Sequence, residues 1–135
     1  MSDCVFCKII SGEIPAAKIF EDDRIFAFLD INPVNPGHTL VIPKQHYQMI
    51  VDTPDELIAE VFKTVKKLMI VIKMSLSCDF VALSVVGTDV PHFHVHLIPR
   101  YFSDNFTGWP TKRYDEGAME KTALKITNLL TVNNK

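Results

Sequence analysis

Apolar residues recur along this chain with two different periods. From residue 57 to residue 72 they return every three or four positions, at Leu57, Val61, Val65, Leu68 and Ile72, which places them on one face of a helix. The segment "DTPDELIAEVFKTVKKLMIVIKMSL" is therefore predicted to be the main helix. Thr53 is expected as its N-cap, Pro54 as its first helical residue, and Glu56 as the partner that closes a capping box. Elsewhere the pattern is short and β-rich. "KIFEDDRIFAFLDI" reads as a hairpin: one strand ends near Phe20, Glu21, Asp22 and Asp23 turn, and Ile25, Phe26, Phe28 and Ile31 carry the second strand. "NPVNPG" is a loop, since two prolines and a glycine punctuate it. "HTLVIPK" is a third strand, ended by Pro43. "FVALSVV" and "HFHVHLIP" make two more strands, separated by "GTDVP". After "SDNFTGWP", the segment "YDEGAMEKTALKITNLL" reads as a C-terminal helix. About five strands broken by one long helix predict an α+β fold, an antiparallel sheet with helices on one face.

Composition narrows the function classes. A chain of 135 residues is expected to form one domain over residues 1–135, and 47% hydrophobic residues suffice for a core. A net charge of −2 without any basic run argues against nucleic-acid binding. The longest apolar run, "LMIVI", is too short to span a membrane. The N-terminal "MSDCVFCKII" lacks the layout of a signal peptide, and three cysteines do not suit a disulfide framework. The expectation is a reduced, cytoplasmic protein.

The chemistry concentrates in "VPHFHVHLIPR". In a strand side chains alternate between faces, so His92, His94 and His96 point one way, each about 6.6 Å from the next by strand rise. Phe93, Val95 and Leu97 point to the core. An ordinary polar strand face carries Thr, Lys or Glu, so three histidines in register ask for a chemical reason. Three readings compete. The histidines could be ligands of a catalytic zinc. They could form a cupin-like metal site, although no glutamate follows at a suitable place. Or one imidazole attacks phosphorus while its neighbours orient it and stabilise charge.

The residues of "HFHVHLI" match the alternating His–hydrophobic signature of the histidine triad (HIT) family. Together with "FEDD", "GHTLVIPKQH" and the N-terminal "CVFCKII", the chain resembles Hint-type members, particularly the bacterial branch with a CxxC. The resemblance implies a HIT-like fold and a nucleotide as substrate. Its middle histidine, here His94, would attack the α-phosphate and form a nucleotidyl-histidine that water hydrolyses. Neutral imidazole, with a pKa near ~6.5, is a competent nucleophile at neutral pH if one ring nitrogen is held and the other is free. The resemblance gives the backbone carbonyl of His38 the holding role, and has His96 donate to a phosphoryl or bridging oxygen. It assigns an apolar slot and a ribose carboxylate to Phe6, Ile9, Ile14, Phe28, Asp30 and Ile31. It places Thr88, Asp89 and Val90 on the phosphate side. It also implies a structural zinc held by Cys4, Cys7, His46 and His92, with no catalytic metal required. Cys78 matches nothing and is expected to be a buried thiol.

The sequence also departs from the family. Many Hint-type proteins carry Gly-Gln-Ser/Thr before the triad, whereas here Thr88 stands at the glutamine position and Asp89 at the next. Thr88 has less reach, and Asp89 would repel a phosphate unless it turned away. The expected activity is nucleotide hydrolysis or transfer on a phosphoramidate, an acyl-nucleotide or a dinucleotide polyphosphate. The rivals are a three-His zinc hydrolase and a nucleotide-binding module without turnover. Family resemblance further implies a homodimer, and Phe62, Met69 and Met74 lie on the long helix outside its main apolar stripe.

Overall fold

The computed structural model describes residues 3–104 and 111–133. Residues up to Asp104 form one compact unit. Its elements are α1 (Val5–Ser11), β1 (Lys18–Glu21), β2 (Ile25–Leu29), β3 (Thr39–Pro43), α2 (Asp55–Leu76), β4 (Phe80–Ser84) and β5 (Val95–Arg100). The C-terminal helix α3 (Ala118–Asn133) belongs to a separate unit, and it starts at Ala118, four residues after the Tyr114 at which the sequence reading began it. The five strands form one sheet in the order β1-β2-β3-β5-β4, with every neighbouring pair antiparallel. The expected α+β class and antiparallel five-stranded sheet are therefore observed.

Local chemistry makes the hairpin. The Asp22 carboxylate accepts hydrogen bonds from the backbone N–H groups of Arg24 and Ile25, at 2.9 and 2.8 Å, closing the turn between β1 and β2. Both faces of β2 and β3 are buried. On one face Ile25, Ala27, Val41, Val95 and Leu97 pack against Leu57, Val61, Val65, Leu68 and Ile72 of α2. On the other, Phe26, Phe28, Leu40 and Ile42 pack against Cys4 and Phe6. The sheet thus carries α2 on one side and the short α1 on the other, which corrects the expectation of helices on a single face. Helix α1 went unread because seven residues are too few to show a helical period. Its ends are nonetheless marked: Cys4 caps it by accepting from the Cys7 N–H, and Gly12 ends it at φ 86°.

Four further expectations are corrected. Thr53 does not cap α2; its hydroxyl donates back to the Met49 carbonyl at 2.9 Å, and the helix starts after Pro54 without a side-chain cap. The first turn relies on Asp55 and Glu56 facing the positive end of the helix. Strand β5 begins at Val95, not His92. Pro91 and the pairing of Phe93 N–H with the Tyr47 carbonyl (2.7 Å) hold residues 91–94 away from the ladder. Strand β4 stops at Ser84, and Ile31 lies beyond β2, 89% exposed.

Gly37 positions the start of β3. It adopts φ 96°, and a Cβ there would run into Leu76 Cδ1 of α2. Only glycine meets both demands. The residue that follows is His38.

Candidate active site

The face of the sheet opposite α2 carries the histidines. Leu40 pairs with His96, and Ser84 pairs with His96 from the other side. His94 lies two residues earlier on the same side, buried to 1% exposure. Phe6 of α1 covers it edge-on, with ring centroids 5.1 Å apart, and meets Phe28 at 5.3 Å.

A chain of hydrogen bonds sets the tautomers. The Val34 N–H donates to His38 Nδ1 at 3.1 Å, so the His38 proton sits on Nε2. That Nε2–H reaches His96 Nδ1 at 2.9 Å, which leaves the His96 proton on its own Nε2. Asp30 Oδ2 lies 3.7 Å from His38 Nε2, while its other oxygen accepts from the Asn32 N–H. Burial is the main cause that lowers the pKa of both His38 and His96, against a smaller upward pull from Asp30 on both and from Asp89 on His96. Neutral imidazoles follow, as the relay of donors and acceptors requires.

His94 is held differently from expectation. Its Nδ1–H donates to the carbonyl of His92 at 2.7 Å, whereas the His38 carbonyl accepts from the Asp30 N–H. The holding group is the peptide two residues upstream because the bend before β5 turns that carbonyl onto the ring. His94 Nε2 then keeps its lone pair. It is buried, with no hydrogen-bond partner among the described residues. Asp89 Oδ1 stands 3.3 Å away, within ion-pairing distance but not in hydrogen-bonding geometry. Burial acts to raise the Asp89 pKa, and the backbone N–H groups of Val90 and Asp89, with His94 and His96, outweigh it and lower it.

The first triad histidine belongs to a second cluster. His92 Nδ1 lies 3.4 Å from Cys4 Sγ and 3.6 Å from Cys7 Sγ, and His46 Nδ1 lies 3.4 Å from Cys7 Sγ. All four donor atoms lie within 4.8 Å of one another. Tetrahedral zinc with bonds of about 2.3 Å to sulfur and 2.0–2.1 Å to nitrogen sets sulfur–nitrogen edges of about 3.5–3.6 Å. The donor set therefore fits a tetrahedral metal ion. His92 Nε2–H donates to the Pro43 carbonyl at 2.8 Å, which turns the Nδ1 lone pair toward the thiols. Burial drives the His92 pKa down to about 4, so the imidazole stays neutral, the form that binds metal.

The structure brings Phe6, Phe28, Asp30, His38, His94 and His96 to one side of the sheet, with Ile9 and Val90 packed at the edge of the same apolar cluster. Ile14 is half-buried; Ile31 and Thr88 stand exposed and line no wall of that cluster. Cys78 is buried, as expected. What sequence reading missed is backbone: the carbonyls of His92 and Pro43 and the N–H of Val34 fix the ring orientations, and every residue type offers such groups.

Comparison with known proteins adds a family. The HIT domain family matches residues 11–103. An uncharacterized HIT-like protein of Methanocaldococcus jannaschii is 48% identical over 75% of this chain and 81% of its own. An adenosine 5′-monophosphoramidase of Saccharomyces cerevisiae is 36% identical over 83% of this chain and 73% of its own. An adenylylsulfatase of Arabidopsis thaliana is 35% identical over 93% and 66%. Among solved structures, a Streptococcus mutans protein superposes with a TM-score of 0.87 at 32% identity, covering 96% of this chain and 87% of that one. A zinc-bound histidine triad family protein of Mycobacterium smegmatis superposes with a TM-score of 0.74 at 32% identity, covering 98% and 97%.

The depressed imidazole pKa values predict acid sensitivity. Below the unfolded value of about 6.5, the unfolded chain takes up protons that buried His92, His38 and His96 refuse, so stability present above that pH is lost as pH falls toward 4. For His92 alone the full loss is about 3 kcal/mol. Urea unfolding in chelator between pH 7.5 and 4.5 should show a midpoint that declines with acid. A flat profile would contradict neutral burial of these rings.

Proposed function

The chain belongs to the HIT domain family, and from this we propose that it is a nucleotide hydrolase or transferase that works through a nucleotidyl-histidine on His94. The observation that carries the proposal is the state of the His94 ring: Nδ1–H is committed to the His92 carbonyl, and Nε2 is buried without a hydrogen-bond partner beside the half-buried His96. Such an imidazole has its lone pair directed and little solvation to lose. The substrates proposed are purine nucleoside phosphoramidates, acyl-nucleotides or dinucleotide polyphosphates. The phosphoramidase and adenylylsulfatase names of two relatives support this range.

In the proposed reaction the Nε2 lone pair forms a bond to the α-phosphorus as the bond to the leaving group breaks. The departing atom keeps that electron pair and takes up a proton. His96 Nε2–H, whose position is fixed through His38, is the nearby donor that steadies it. Water oxygen then displaces Nε2 from phosphorus. Overall one water is consumed, its hydroxyl on the nucleoside monophosphate and its hydrogen on the leaving group. Phe6, Phe28, Ile9 and Val90 are proposed as the apolar wall for the base, with Ile14 at its margin and Asp30 as acceptor for the ribose hydroxyls. Ile31 and Thr88 would contribute only from the exposed rim. No catalytic metal is needed in this scheme.

The four-residue cluster is proposed as a structural zinc site, with Cys4, Cys7, His46 and His92 as ligands. Bound zinc would supply a cross-link that ties α1 to the approach of β5, holding Phe6 over His94. A reduced, cytoplasmic setting accords with three free thiols. Among the described residues no helix is long and apolar enough to cross a membrane. A homodimer is also proposed, through the long helix and the sheet, with Met74 kept from the expected set and Phe62 and Met69 leaving it. Phe62 and Met69 pack on the core, whereas Met74 is 77% exposed together with Ile70 and Val71 of α2, and β4 ends the sheet with exposed Leu83. An unpaired apolar edge of this kind calls for cover.

Three outcomes are expected. His94→Ala should reduce turnover of an adenosine phosphoramidate about a thousand-fold or more while AMP still binds, and intact mass after rapid quench of the wild type should show an added nucleotidyl group on the chain. Near-normal turnover in His94→Ala would remove the nucleophile assignment. Purified protein should carry about one zinc per chain, and Cys4→Ser with Cys7→Ser should lose it and melt lower; a metal-free native protein of full stability would dismiss the site. Light scattering at micromolar concentration should give a dimer mass that Met74→Lys with Leu83→Lys reduces. A monomeric wild type would refute the dimer alone.

A further inference from the structure

Asp89 stands where a phosphate is expected to arrive. Its carboxylate oxygen is 3.3 Å from His94 Nε2, while its side chain is 62% exposed. The nitrogen it faces is buried and otherwise unpartnered. Any phosphorus that bonds to Nε2 must displace this carboxylate, and the exposed side chain can yield only along the rim of the site. One side of that rim is a cavity of about 470 Å³, lined by Asp89, Val90, Pro91, Gln48, His46 and Asp3 among others. That volume lies within the range of small-ligand sites.

Among the described residues, the charged side chains other than histidine that act on the triad have one sign. The charged groups acting on His38 and His96, apart from other histidines, are Asp30 and Asp89. The cavity adds Asp3, borders the second cluster through Cys4 and His46, and among the described residues is lined by no lysine or arginine. Phosphoryl-transfer sites commonly use cations to offset the charge of an anionic leaving group. Here the group beside the reacting centre is an anion, and backbone N–H groups help keep it ionised. Two negative charges about 4 Å apart near a protein surface repel appreciably, and a cation in the same place is attracted to the same degree.

We propose that Asp89 selects the leaving group: its carboxylate, displaced from His94 Nε2 into the cavity it shares with Asp3, favours nucleotide substrates whose departing group carries a positive charge and disfavours those whose departing group is anionic. This rests on the nucleotidyl-transfer reading of His94 and narrows it to amine leaving groups with a distal ammonium. Asp89 enters the chemistry only through charge, by stabilising or repelling the departing group as the P–N bond breaks. The amine leaves with the P–N electron pair and takes up one proton, and water supplies the hydroxyl that remains on phosphorus.

The test varies charge without varying the scissile bond. Three AMP amides are compared, formed from n-pentylamine, 1,4-diaminobutane and 4-aminobutyrate. All contain the same P–N linkage and similar chain length, and their distal groups are neutral, cationic and anionic. In the wild type kcat/KM should fall in the order cationic, neutral, anionic, with at least a ten-fold span. In Asp89→Asn the span should collapse toward unity whatever the absolute rate, and raising the ionic strength should compress it in the wild type only. Turnover of all three amides without that order, or a span unchanged in Asp89→Asn, would overturn the selector role and leave His94 chemistry standing. Failure of the wild type to turn over even the neutral amide would instead overturn the nucleotidyl-transfer reading, and this inference with it.

Discussion

His92 is the residue on which both clusters depend, through its carbonyl in one and its ring in the other. The carbonyl accepts the Nδ1–H of His94 at 2.7 Å, while the side chain of the same residue points into the Cys4–Cys7–His46 cluster. One peptide thus ties the orientation of a buried imidazole to the packing of the N-terminal arm. The arrangement requires the chain to bend before β5. Phe93 N–H pairs with Tyr47 outside the ladder, and His92 Nε2–H is anchored on Pro43 at the end of β3. Without the bend, His92 and His94 would simply alternate along a strand, and the carbonyl between them would serve the sheet.

Burial of so many polar rings is tolerated because each bond in the set has a defined direction. A buried polar group without a partner is costly. Here Val34 N–H, His38, His96 and the carbonyls of Pro43 and His92 satisfy ring nitrogens in sequence. The exception is His94 Nε2. Of the other rings of the neighbourhood, His92 and His38 have both nitrogens engaged, while His96 has its Nδ1 engaged by His38. An unsatisfied buried atom inside an otherwise satisfied network calls for an explanation, and the role proposed for His94 supplies one. Phe6 covers the ring edge-on.

The dependence on α1 explains why the two faces of the sheet differ in character. Helix α2 supplies a continuous apolar stripe and buries its face with hydrocarbon apart from Thr64. The opposite face receives about two turns of helix, carrying a single aromatic and Cys7 and capped by Cys4. That cover is small, so the face retains polar residues and an opening, and the site occupies what hydrocarbon did not fill. A metal-binding cluster at the N-terminus of α1 would fasten a helix too short to hold itself.

The sequence by itself determined the elements whose signal is local. The three- and four-residue spacing from Leu57 to Ile72 marked α2, the turn at Asp22 and Asp23 marked the first hairpin, and the alternation of "HFHVHLI" set the histidines apart from Phe93, Val95 and Leu97. The same residues, with "GHTLVIPKQH" and the CxxC, carried the family. Tertiary structure alone decided three other matters. It decided that α1 crosses the face opposite α2, because seven residues hold no readable period and only Phe6, meeting Phe28 and His94, seats them. It decided that His94 is held by the His92 carbonyl and not by that of His38, because backbone acceptors are the same at every position and only the path of the chain aims one of them. And it decided that Asp89 faces Nε2, because the direction of an exposed carboxylate on a loop depends on where that loop is anchored, which no residue type encodes.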